Sequence, residues 1–249
     1  MLLTRVFPAG PAVTSEDAYT KLGLAELAGD GRPHIICNFV ASADGKATSN
    51  GRTAQLTGAA DHAIFHLLRT QVDALLVGTG TLAIERYGPP IRSAELARIR
   101  VDEGRAPQPL AVVVSRTGAV PFDIPLFSDP GVHVVLYAPA PTAVPAVAAR
   151  VTHHELQAGE AGLDAVMSSL RRDHGVRSLL CEGGPILFNS LLGRRLADEL
   201  FLTMSPMLVG GGELPVTAGP AITSPVAIQL EWAFQCDGSL FLRYRAVGR

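Results

Sequence analysis

The chain has 249 residues, a net charge of −2, and 47% apolar against 18% charged residues. That balance lacks the basic footprint of a nucleic-acid binder and supports a large core instead of disorder. Pro, Gly or a charge interrupts every apolar run before the ~20 residues of a membrane span, and the start MLLTRVFPAGP is too short in apolar length for a signal peptide, so a cytoplasmic protein is expected.

Residues 1–32 read as an N-terminal arm with one helix over 15–28, opened by acidic residues as the helix dipole prefers. Residues 33–249 read as one domain. Short apolar runs at 34–41, 73–78, 110–115, 132–137 and 178–182 predict strands. Helical periodicity lies between them, at 57–70 and at Leu163, Val166, Met167 and Leu170. Alternation of this kind specifies an α/β domain with a largely parallel sheet. After residue 196 three long strands are expected, at 199–208, 226–236 and 239–247. Asp237-Gly238 is the hairpin turn between the last two, because a type I′ turn needs positive φ at both central residues. Cys37 and Cys181 fall inside apolar runs and read as small buried hydrophobes, since three unevenly spaced cysteines fit neither a disulfide framework nor a zinc knuckle.

Two strand ends carry glycines. Cys181-Glu182-Gly183-Gly184-Pro185-Ile186-Leu187 passes from a strand into a helix, where first-turn N–H groups and the dipole attract anionic oxygens. Glycines let a backbone approach a pyrophosphate, and Pro185 suits the first helical position. A plain strand-to-helix turn is the alternative. Val77-Gly78-Thr79-Gly80-Thr81 also follows a strand, but lacks the third glycine and the later acid of a dinucleotide fingerprint. The strand at 110–115 ends in Ser115-Arg116-Thr117. Arg with hydroxyl neighbours suits a ribose 2′-phosphate, which favours NADPH over NADH; a solvated turn is the alternative. His62 and His66 share a helix face without the Glu of a zinc-protease motif, so no metal site is expected.

Together with Asn38-Phe39-Val40-Ala41-Ser42-Ala43-Asp44-Gly45-Lys46 and Asp198-Glu199-Leu200, these segments resemble, in order and content, the pyrimidine reductases of riboflavin biosynthesis over residues 33–247. Tyr87-Gly88-Pro89 with Arg92 looks like the stand-alone actinobacterial members. The resemblance implies a dihydrofolate-reductase-like three-layer α/β fold, with a mixed, mostly parallel central sheet and a C-terminal antiparallel hairpin. It also implies a homodimer and NADPH-dependent reduction of a ribosylaminopyrimidine phosphate of the 5-amino-6-(5-phosphoribosylamino)uracil type. The zinc-deaminase motifs H-x-E and P-C-x-x-C of many relatives do not occur.

Carried over position by position, the resemblance implies cofactor contacts at Val40, Thr81, Glu85 and 184–190, with Ser115, Arg116 and Thr117 near the adenosine phosphate. These join Gly78, Thr79 and Gly183 from the glycine turns. It implies substrate contacts at Thr53, Arg69, Pro89, Arg92 and Glu182, with Arg69 and Arg92 suited to a phosphate. Glu85 and Asp44 are the carboxylates available as proton donor, although Asp44-Gly45 also reads as a simple turn. Apolar residues on the last strands, including Phe201, Leu230, Trp232 and Phe234, exceed one face of a small sheet and suggest the dimer surface. Two other functions remain open on sequence: a pterin reductase of the same fold, and a non-catalytic sensor of NADPH or a flavin precursor.

Overall fold

The computed structural model describes residues 1–156 and 161–248. The backbone divides into two compact units. The first comprises Met1–Leu22, Ile35–Leu68 and Cys181–Arg249; the second, Gly23–His34 and Arg69–Leu180.

The first unit holds β1 (Leu2–Phe7), β2 (Val13–Thr14), α1 (Ser15–Tyr19), β3 (His34–Ser42), most of α2 (Ala59–Thr70), α6 (Pro185–Gly193), β9 (Glu199–Ser205), β10 (Ile228–Cys236) and β11 (Ser239–Ala246). Its strands lie in the order β2-β1-β10-β11-β9-β3. β3 and β9 are parallel, with Ser42 opposite Ser205, and the other pairs are antiparallel. The β10–β11 turn is the expected one, with φ of 49° at Asp237 and 79° at Gly238. β9 stops at Ser205 and not at 208 because Pro206 follows and has no N–H for a ladder.

The second unit holds α2's last residues (α2, Ala59–Thr70), β4 (Ala74–Gly78), α3 (Thr79–Glu85), α4 (Ala94–Asp102), β5 (Leu110–Val114), β6 (His133–Ala138), β7 (Arg150–Glu155), α5 (Ala161–Asp173) and β8 (Ser178–Cys181), whose Cys181 opens the last segment of the first unit. The strand order is β8-β4-β5-β6-β7, and β4, β5, β6 and β7 run parallel. Every residue of β6 after His133 is buried, so both faces of that strand are covered, as a parallel strand requires. Val77, Val113, Val134 and Leu136 pack with Leu126 and Phe127 into one core. The fold is thus the mixed α/β arrangement expected, parallel in one part and antiparallel towards the C-terminus.

The expected helix over 15–28 is corrected. α1 ends at Tyr19, Thr20 is extended, Gly23 sits at φ 64°, and a short 3-10 turn follows at Leu24–Leu27. The run breaks at extended Thr20 and at the left-handed backbone of Lys21 (φ 54°) and Gly23, conformations that a helix cannot contain. β1, α3 and α4 were not anticipated. β1 lies antiparallel to β10. Tyr19 packs edge-on against Trp232 at 5.1 Å and the Arg5 guanidinium lies 5.1 Å over Phe234. Phe201 and Phe234 are buried within the chain. The apolar surplus on the last strands is therefore largely covered by the chain's own N-terminal segment.

Arg100 on α4 shows how the second unit closes. Only 1% of it is exposed. Nη1 donates to the carbonyls of Arg69, Thr70 and Val72 at 2.9, 3.2 and 2.7 Å, and Nε donates to Ala106 O at 2.7 Å. Arg69 and Thr70 end α2, where carbonyls have no helical partner and a cation is favoured. Burial lowers the guanidinium to about 10, so it stays charged near neutral pH. Arg100→Met should destabilise by about 3–5 kcal/mol in urea unfolding, because three buried carbonyls and the Ala106 carbonyl lose a charged donor. A loss under about 1 kcal/mol would show that these carbonyls find other partners.

Candidate active site

In the first unit, β8's last residue leads into Glu182, which is buried, then Gly183 and Gly184, joined by a cis peptide, and then α6 with Pro185 at its first turn. Gly183 is the demanding position. Its φ is 101°, and a Cβ there would come 3.3 Å from the Phe39 ring. Phe39 on β3 stacks on Phe188 of α6 at 4.6 Å, which ties the helix start to the strand. Gly184 caps the helix with φ −78°, and Ile186 and Leu187 supply first-turn N–H groups that an α-helix does not satisfy internally. Val40, Gly183, Gly184, Pro185, Ile186 and Leu187 all belong to this unit. Cys37 and Cys181 are fully buried, and burial with a Cys181 contact pushes the Cys37 thiol up, which leaves it inert.

Asp44 follows β3 on an exposed turn. It accepts hydrogen bonds from Ser42 Oγ at 2.6 Å, Val209 N at 3.1 Å and Gly210 N at 2.7 Å. The Ser42 hydroxyl and those two backbone N–H groups hold its carboxyl at about 2. A group kept ionised in this way has no proton to give near neutral pH, so of the two sequence readings the geometry favours the turn over the proton donor. Thr53 is half-buried farther along the same loop, and its carbonyl receives Leu56 N–H.

In the second unit, Gly78 ends β4 and caps α3, so Thr79 and Thr81 sit in that helix's first turn and Glu85 is its last residue. The two glycine turns therefore share one plan, a strand end feeding directly into a helix. Arg69, expected as a phosphate ligand, is only 3% exposed. Its Nη1 donates to Pro90 O at 3.0 Å and its guanidinium lies 5.5 Å over the Tyr87 ring. This places Arg69 beneath the loop that carries Pro89 and Arg92. Arg92 is exposed, with its guanidinium against Gly88. Arg69 is thus buried under this cluster, and Arg92 is its exposed guanidinium.

Ser115 is buried just past β5. Its N–H donates to Tyr137 O at 2.9 Å and its Oγ to Ala119 O at 3.2 Å, which closes a tight loop with Gly118 at φ 78°. Arg116 and Thr117 are exposed on that loop. Thr117 lines a cavity of about 480 Å³ with Gly118, Val120, Phe122, Pro139 and Thr142, at the carboxyl ends of β5 and β6. Ligands of open α/β sheets bind outside that end of the strands. His62 Nε2 lies 3.1 Å from Thr57 Oγ1. Sequence reasoning missed residues 206–215 of the first unit as partners of the Asp44 turn. The Gly210-Gly211-Gly212-Glu213 run was the available signal, since consecutive glycines expose backbone N–H groups to a carboxylate.

The sequence profile of the RibD C-terminal domain matches residues 33–241. The 2,5-diamino-6-ribosylamino-4(3H)-pyrimidinone 5′-phosphate reductase of Archaeoglobus fulgidus is 30% identical over 215 residues, 85% of this chain and 90% of that one. The riboflavin biosynthesis protein RibD of Mycobacterium tuberculosis is 30% identical over 207 residues, 82% of this chain and 50% of its own length. A crystal structure of a pyrimidine reductase-like protein from Corynebacterium diphtheriae superposes with a TM-score of 0.78 at 22% identity, covering 95% of this chain and 100% of that one, and so has the same fold. A strand-to-helix glycine turn after Glu182, a second after β4, and a profile match across most of the chain agree: this protein belongs to the RibD C-terminal domain family.

Proposed function

We propose that the chain is an NADPH-dependent reductase of riboflavin biosynthesis, acting on a ribosylaminopyrimidine 5′-phosphate. The observation that carries the reading is the buried Glu182 followed by Gly183-Gly184-Pro185 at the start of α6, in a chain of this family. In this proposal the reductase domain of residues 33–249 is completed by an N-terminal arm, residues 1–32, whose β1 joins the first unit's sheet, and the enzyme works as a cytoplasmic homodimer. Among the described residues no helix is long and apolar enough to cross a membrane.

The residues present fit a nicotinamide dinucleotide. The α6 N-terminus offers N–H groups to a pyrophosphate, the Gly78–Thr81 turn offers a second set, and exposed Arg116 beside Thr117 suits a 2′-phosphate at the cavity after β5. When bound, the cofactor would supply the hydride needed at C1′ of the ring-opened ribosylamine, whose reduction gives a ribityl chain. The chain's own task is position and exclusion of water. By the family resemblance Val40, Gly78, Thr79, Thr81, Ser115–Thr117 and Gly183–Leu187 are assigned to the cofactor. Thr53, Glu182, Pro89 and Arg92 are assigned to the substrate, with Arg69 supporting Pro89 and Arg92 from below. Glu85 is the proton donor in this scheme, and Asp44 is not.

Purified protein should oxidise NADPH with the ribosylaminopyrimidine phosphate and not with dihydrofolate; tight NADPH binding without turnover of either would favour a sensor. Arg116→Ala should weaken NADPH about tenfold, one exposed charge-assisted contact or about 1.5 kcal/mol, and leave NADH unchanged. Equal losses for both cofactors would remove the 2′-phosphate assignment. Gly183→Ala should cost about 1–3 kcal/mol in thermal or urea melts, since its φ of 101° and the Phe39 ring leave no strain-free place for a Cβ.

A further inference from the structure

β3 and β9 are adjacent parallel strands, and the loops that leave their carboxyl ends, residues 43–53 and 206–215, are knitted together. Backbone bonds run from Ala43 N to Met207 O at 2.8 Å and from Ala47 N to Leu214 O at 2.7 Å, and Lys46 bridges Pro215. A carboxylate crosses in each direction. Asp44 reaches from the first loop to the consecutive N–H groups of Val209 and Gly210. Glu213 reaches back to Thr48 Oγ1 at 2.7 Å and Gly51 N at 3.1 Å, while Leu214 N donates to Thr48 Oγ1 at 3.2 Å. Asp44 is exposed and Glu213 half-buried, and each is kept ionised by the donors aimed at it, the Ser42 hydroxyl first for Asp44 and the Thr48 hydroxyl first for Glu213.

We propose that Asp44 and Glu213 are positioning residues that lock these two loops as one body and so set the affinity for the substrate. The proposal rests on the reductase reading, because that reading assigns Thr53, on the first loop, to the substrate. Two loops at the carboxyl ends of parallel strands stand where a ligand binds. Neither loop has a regular ladder, and only Ala47 and Thr48 of the first are buried, so crossed carboxylates supply the preorganisation that a binding loop needs. Both groups act through the loops and do not act on the reacting atoms.

Asp44→Asn turns an NH₂ group towards the Gly210 or Val209 N–H, and Glu213→Gln does the same to Thr48 or Gly51. Each variant should raise hydrogen exchange at Val209 and Gly210, or at Gly51, at least tenfold. Substrate KM should rise about tenfold, with kcat and NADPH affinity within twofold and the melting temperature little changed. Ser42→Ala, which keeps both backbone donors to Asp44, should raise KM no more than about threefold. Faster exchange with unchanged KM would overturn the positioning role, and unchanged exchange would overturn the clamp itself. A wild-type enzyme that does not turn over the pyrimidine would overturn the reductase reading and the KM role with it, a failure told apart by the exchange data, which need no substrate.

Discussion

A carboxylate placed one residue before a strand fixes the register on which both units depend. Asp73 precedes β4. Its side chain accepts the N–H groups of Arg177 and Ser178 at 2.8 and 2.9 Å, its own N–H donates to Ser178 O, and its carbonyl receives Leu110 N–H. The starts of β8, β4 and β5 are thereby held in line. Asp198 does the same before β9 in the first unit. Its carboxylate accepts Ile35 N–H at 2.7 Å, its N–H donates to Ile35 O, and its carbonyl receives Ala246 N–H. Because a slip of one residue turns every side chain to the other face, fixing the amino end of a strand also fixes what its carboxyl end presents.

A second constraint comes from the buried charge in the antiparallel part. Glu199 is 2% exposed and takes two hydrogen bonds from Arg243, at 2.7 and 3.1 Å, while that guanidinium lies 5.3 Å over Phe201. Such a pair adds little net stability but rejects alternative registers of β9 against β11, since a slip would leave a buried carboxylate alone. Tyr19 then closes the aromatic group from the N-terminal segment, 6.1 Å from Phe201. The energetic unit is the cluster of Phe201, Trp232, Phe234, Tyr19 and Arg243, to which sequence-distant segments contribute.

How much of this is legible in the sequence follows from the range of the interactions. The strands at 34–41, 110–115 and 178–182, the Asp237-Gly238 hairpin and the Gly183-Gly184 turn were readable, because periodicity and turn chemistry are local. β1 was not, since Leu2–Phe7 becomes a strand through its pairing with β10, more than two hundred residues away. The surplus of apolar residues on β9 to β11 was counted correctly, but composition does not say what covers them. Arginines gave the same difficulty. Arg69, Arg92, Arg100 and Arg116 look alike in a sequence; two are buried on backbone carbonyls and two are exposed.

The acids divide in the same way, and the division bears on chemistry. A carboxylate surrounded by donors, such as Asp44, is stabilised as an anion and becomes an anchor, whereas a proton donor near neutral pH needs an environment that penalises the anion. A strand-end Asp-Gly therefore carries two readings until its neighbours are known, and here those neighbours come from a loop about 165 residues further along the chain. For the proposed reduction this arrangement is economical. A nicotinamide cofactor would supply the hydride there, which leaves orientation to the protein, and a loop held by ionised side chains suits that task. In that proposal Asp44 acts on the geometry of the loop and not on the reacting atoms.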